Sequence, residues 1–109
     1  MATTRTWTAD DDAKLRADMR ATVVATVLGE RVTWGQLHDA FDRVADRTNW
    51  KNPIAADFTT STDANTSAFE VELMHAAVEF FAGCRPTIRH MGNFRFRCEA
   101  VGYYAAVGA

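Results

Sequence analysis

Thr87-Ile88-Arg89-His90-Met91-Gly92-Asn93-Phe94-Arg95-Phe96-Arg97-Cys98-Glu99-Ala100 is the stretch whose reading decides the fold. On one side of Met91-Gly92-Asn93, Ile88 and His90 alternate with Thr87 and Arg89. On the other, Phe94, Phe96, Cys98 and Ala100 alternate with Arg95, Arg97 and Glu99. A period of two marks a strand with one buried face. Gly92 or Asn93 can adopt the positive φ that a tight turn demands. The chain is therefore expected to carry a C-terminal antiparallel β-hairpin. A three-residue turn sets His90 opposite Phe94, Ile88 opposite Phe96, and Arg89 opposite Arg95. In that register Ile88, Phe94 and Phe96 point inward, and Arg89, Arg95 and Arg97 point outward. Tyr103-Tyr104-Ala105-Ala106-Val107 is expected to close the core or extend the last strand.

Toward the N-terminus the period lengthens to that of a helix. Ser67-Ala68-Phe69-Glu70 has the form of a capping box, in which a hydroxyl and a carboxylate three residues apart satisfy each other's backbone donors. Behind it Phe69, Leu73, Ala76, Ala77, Phe80 and Phe81 share a broad face, with Val71, Met74 and Val78 on an added side. That breadth predicts a helix sandwiched or partly covered by the hairpin. Gly83 ends it and Pro86 prevents its resumption.

Two earlier helices read similarly. Thr8 to Asp11 is a weaker capping box, with Asp10, Asp11 and Asp12 favouring the helix dipole. Leu15, Met19, Val23 and Val27 recur every four residues up to Gly29, so a first helix is expected over Ala9 to Leu28. Thr33-Trp34-Gly35-Gln36 caps a second, Trp34 to Asp46, with the stripe Trp34, Leu37, Phe41, Val44 and Ala45. Val32 precedes the cap as a hydrophobic staple. Trp34 and Trp50 are expected in the core. Trp50, Ile54 and Phe58 are spaced by four, which allows a short helix from Pro53 to Asp57. Otherwise those residues plug the core edge in an extended crossing. The polar run at about 59–66 is expected to be a mobile loop.

The fold class expected is α+β: one small domain over 1–109, three principal helices followed by a C-terminal antiparallel β-hairpin. This is a winged-helix-like order of elements. The likeness is limited, because residues Arg47 to Thr66 would separate the second and third helices. The third helix carries Glu70, Glu72 and Glu79 and no base, so it is a poor recognition helix for a phosphate backbone. At 109 residues the chain is long enough for a core without a metal or disulfides.

Net charge is −2, which is not the bulk signature of a nucleic-acid binder. The charge is segregated, however. Residues 51–84 hold one base and five acids, whereas residues 85–109 hold Arg85, Arg89, Arg95 and Arg97 against Glu99. Arginine suits planar, multi-donor recognition, so these four are the candidate binding residues.

Catalytic and metal patterns are weak. Glu72, His75 and Glu79 share one helical face with ligand-like spacing, but that is where a solvated strip belongs. His38 and Asp42, four apart, could couple as an acid–base pair but have no nucleophile beside them in sequence. Cys84 lies past a helix C-terminus, where the dipole opposes a thiolate, and Cys98 lies on the apolar strand face. No cofactor or metal is expected. No apolar run reaches the roughly 18–20 residues that span a membrane, and a cytoplasmic, reduced protein is the simplest expectation. The sequence thus points to a non-enzymatic protein-binding or regulatory protein, an inhibitor for example. Its partner would be an acidic protein surface or a second copy in a homodimer. Nucleic acid bound by the hairpin as a wing is one alternative; a small enzyme or metal-binding protein is another.

Overall fold

The computed structural model describes residues 6–45 and 53–101. The elements run α1 (Ala9–Arg20), β1 (Val23–Val27), β2 (Glu30–Thr33), α2 (Trp34–Asp42), β3 (Ile54–Thr59), α3 (Ala64–Ala82), β4 (Thr87–Gly92) and β5 (Arg95–Ala100). Three helices and a C-terminal hairpin are present, and the class is mixed α and β with antiparallel sheets. The winged-helix order is not what forms, because β1, β2 and β3 interrupt the helices. Asp46, Trp50 and residues 102–109, Tyr103 and Tyr104 included, lie outside the described residues.

The expected first helix is two elements. Its Thr8 cap and capping box with Asp11 form, and the helix stops at Arg20. The Thr22 hydroxyl then donates to the Asp18 carbonyl, and the chain leaves as a strand. Val23-Val24-Ala25-Thr26-Val27 is rich in β-branched residues, which favour a pleated strand over a helix. It pairs with β2 through a two-residue turn at Leu28-Gly29, where φ is +49° and +81°. Two positive φ angles are the signature of a type I′ hairpin turn.

In α2 the Thr33–Gln36 capping box forms as expected, and the helix gives way at Arg43. In α3 the cap lies four residues earlier than expected. Asp63, not Ser67, accepts from the Thr66 amide, and Ser67 is a buried helical residue hydrogen-bonded to Thr60. Gly83 adopts the left-handed cap at φ +73°. The polar run is therefore short and tied down. Ser61 donates its amide to Glu70 at 2.7 Å, and Thr60 donates to the Phe94 carbonyl at 3.0 Å.

Ile54 to Thr59 is a strand and not a helix. It pairs with β5, which becomes the centre of a three-stranded sheet in the order β3-β5-β4. The hairpin register differs by two residues from the expected one. Ile88 faces Cys98, Arg89 faces Arg97, and His90 faces Phe96. The turn is the two residues Asn93 and Phe94, both at positive φ, and the extra residue Met91 is taken up by a bulge. Because the side-chain period is two, this shift leaves the residues that stay in the strands on their expected faces, whereas Phe94, expected to point inward from a strand, is a turn residue at φ +58°.

One core joins the layers. Leu37, Phe41 and Val44 of α2 and its exit meet Met74, Ala77 and Val78 of α3, with Val27 and Val32 from the small hairpin and Ile54, Phe58 and Cys98 from the sheet. Helix α1 contributes no buried residue. Among the described residues no helix is long and apolar enough to cross a membrane.

Candidate interaction surfaces

The outward face of the sheet is built from alternate residues of three strands. Register places Asp57 of β3 beside Arg97 of β5, and Arg97 beside Arg89 of β4. Two directly opposed arginines repel one another. Glu99 offsets this by accepting from Arg89 while lying 3.5 Å from Arg97. Asp57 holds Arg97 at 3.0 Å and Arg95 at 3.7 Å. The hydrogen bond from Asp57 raises the guanidinium pKa of Arg97 further above its already high ordinary value. Three arginines against two carboxylates leave a net +1. Arg85 lies apart from this network and turns toward Glu79 on α3, at 3.8 Å.

Arg43, which the sequence did not single out, belongs at the edge of this face. It leaves the end of α2, donates to the Thr59 carbonyl at 2.7 Å, and lies over the Phe58 ring at 5.8 Å. With Asp57, Thr59 and Arg95 it lines a shallow hollow of about 320 Å³. The available signal was the alternation of Ile54, Ala56 and Phe58, which puts Asp57 on the outward side of a strand.

A second surface is apolar. Helix α1 presents Leu15 and Met19, 56% and 43% exposed, one turn apart on the same side. Its base is fixed. Trp34 donates its amide to the Thr22 carbonyl at 2.8 Å, and Arg20 pairs with Asp39 at 2.8 Å. Arg20 also packs on buried Gly35, where a Cβ would come within 3.0 Å of the Arg20 carbonyl oxygen. At the far end of the β1–β2 hairpin, Leu28, Phe94, Ala64, Ala68 and Val71 help line an open groove of about 550 Å³. Glu72 and His90 also line it.

The sequence-level chemical candidates do not assemble. Among the described residues, the one group of ligand-type atoms lying within 4.8 Å of one another is His38, Asp39 and Asp42, all from α2. Glu72, His75 and Glu79 do not converge in that way. His38 Nδ1 is 3.4 Å from Asp42, and its ring stacks on Trp34 at 4.8 Å, so the imidazole is part of an aromatic cluster with Phe81. Cys84 and Cys98 are free thiols. Burial pushes the Cys84 thiol up; burial, with smaller contributions from Cys84 and Glu99, pushes Cys98 up to about 11. Neither is a thiolate at neutral pH.

Comparison with protein families, with characterised proteins and with solved structures finds no match in any of the three.

Proposed function

We propose that this chain is a non-enzymatic protein-binding module that meets its partner through α1 and the charged sheet face. The observation that carries the reading is the state of α1. A helix of 12 residues has marginal stability alone in water, and most helices are held by a packed apolar face. This one has an apolar ridge at Leu15 and Met19, and against the described residues it buries none of its own side chains. A protein surface is the natural cover for such a ridge. Arg89, Arg95 and Arg97, interleaved with Asp57 and Glu99, would supply a mixed-charge contact that fixes orientation. A net +1 over that face supports a protein partner better than a polyanion, whose binding strength follows the number of phosphates neutralised.

Affinity purification of the intact chain from its native host tests this, with Leu15→Asp as the control. The expected result is a stoichiometric protein component, a second copy included, that the variant fails to retain. Retention of nucleic acid alone, or of nothing, overturns the reading.

A further inference from the structure

Arg43 and Arg95 reach one hollow from two different elements. Arg43 comes from the exit of α2, and Arg95 from the first position of β5, directly across from Thr59 of β3. The Thr60 amide donates to the Phe94 carbonyl, so the backbone groups of Thr59, one residue back, point to the open edge of β3. There Arg43 Nη2 donates to the Thr59 carbonyl at 2.7 Å, and the guanidinium lies over the Phe58 ring at 5.8 Å. Both contacts hold the planar group in place, yet this hydrogen bond uses only one of its N–H donors.

Arg95 is held less firmly. Its nearest carboxylate oxygen, on Asp57, is 3.7 Å away, and its guanidinium makes no hydrogen bond among the described residues. The other Asp57 oxygen is committed to Arg97 at 3.0 Å. Two guanidinium groups and one carboxylate therefore line the hollow, an excess of one positive charge. A singly charged carboxylate balances that excess, whereas a phosphate dianion overshoots it. The hollow is also open, so a free small molecule would keep much of its surface in water, unlike a ligand in an enclosing pocket. A side chain carried on a larger partner needs no enclosure. We propose that Arg43 and Arg95 together seat an aspartate or glutamate side chain of the protein partner; the inference rests on the protein-binding reading above and names the group that the charged face recognises.

Arginine suits this task because its planar fork can meet both oxygens of a carboxylate at once. Positioning in advance matters as much. An exposed ion pair is usually weak because two long side chains must be ordered to make it. At Arg43 that ordering is already supplied by Thr59 and Phe58, so an incoming carboxylate keeps more of the Coulombic gain. The hollow is continuous with the sheet face through Arg95 and Asp57, which tie it to Arg97.

Magnetic resonance of the isotope-labelled intact chain is the test, read at the Asp57 and Thr59 backbone amides. The probe is a blocked glutamate, acetylated and amidated, with blocked glutamine as its neutral twin. Glutamate should shift both amides with a Kd on the order of 10 mM, as two exposed ion pairs allow, and glutamine should not. Arg43→Gln and Arg95→Gln should each raise that Kd about threefold. Arg31→Gln removes an equal charge from exposed β2 and should leave it unchanged. If Arg43→Gln fails to fold, Arg95→Gln still decides, because Arg95 is exposed and bonds nothing in the core. No shift at these amides, equal weakening by all three variants, or inorganic phosphate binding about tenfold more tightly than glutamate overturns the carboxylate site. Capture from the native host separates this from the wider reading. A partner lost in Leu15→Asp but retained in full by Arg43→Gln and Arg95→Gln ends the carboxylate site alone, and the absence of any partner ends both.

Discussion

Arg97 on β5 and Asp57 on β3 are direct cross-strand neighbours, joined at 3.0 Å between Nη1 and Oδ1. They lie 40 positions apart in sequence, and their pairing turns a row of arginines into a mixed-charge face. Asp57 also steadies Arg95, so a single carboxylate serves two guanidinium groups. Asp57→Asn should leave the sheet folded and lower the urea midpoint only slightly, because both partners are partly exposed. It should raise the face from +1 to +2 and lengthen retention on a heparin column. Unchanged retention would mean that the arginines are engaged elsewhere.

Phe58 and Phe96 stack across the same two strands at 5.6 Å between ring centroids. Phe58 is buried and Phe96 half-buried, so the larger loss belongs to β3 and not to the hairpin. Phe58→Ala should cost about 3–5 kcal/mol, the usual range for an aromatic truncated in a core. Phe96→Ala should cost clearly less. Paired urea titrations measure both, and the reverse order would contradict the placement of β3 inside the core.

These two pairs also show why part of the fold was legible and part was not. Local signals were read correctly: the capping boxes at Thr8 and Thr33, the stop at Gly83, and the inward and outward faces of β5. Spacing by four misled twice. Val23 and Val27 continue the Leu15–Met19 ridge, and Ile54 and Phe58 fit a helix turn, yet both pairs also fit one face of a strand. The β-branched run before Leu28-Gly29 was the stronger signal. The hairpin register could not be read from hydrophobicity, because a shift of two residues preserves the face of every residue that stays in the strands. In the candidate site, the outward arginines on the strands followed from local alternation. Asp57 and Arg43 did not, because only the non-local pairing of β3 with β5 brings them there.

The two thiols should differ sharply in reactivity. Cys98 is fully buried on the inner sheet face, and its thiol is pushed up to about 11. Cys84 is only partly covered. At neutral pH an aromatic disulfide reagent should modify Cys84 slowly and Cys98 only after urea unfolds the chain. Because the folded pKa of Cys98 exceeds its unfolded value, the associated stability is complete below about 8.5 and is lost as pH rises toward 11. Two thiols reacting at equal rates in the native protein would contradict the burial of β5.

Asp63 should give the acid limb of stability one identifiable component. Its carboxylate accepts from the Thr66 amide at 2.9 Å and the Thr66 hydroxyl at 2.8 Å. Those bonds, the amide first, hold its pKa below the ordinary value. A depressed folded pKa contributes stability that is present above the unfolded value of about 3.9 and is lost as pH falls through the folded one. Asp63→Asn keeps a capping acceptor without the titration. The gap in urea midpoint between wild type and variant should be constant near neutrality and should move against the wild type below about pH 4. A gap independent of pH would mean that the carboxylate does not cap α3.

Leu28 holds a turn position that its side chain does not favour. It occupies the first position of the type I′ turn at φ +49°, is 64% exposed, and has Val27 and Glu30 paired on either side. A left-handed backbone brings the Cβ of an L-residue close to the following carbonyl oxygen, a strain of about 1–2 kcal/mol that Asn relieves in part by local hydrogen bonding. So exposed a leucine returns little of that through burial in its own chain. Leu28→Asn should therefore stabilise the monomeric chain by about 0.5–1 kcal/mol, read as a higher urea midpoint at high dilution. A fall in the midpoint would show that Leu28 packs within its own chain.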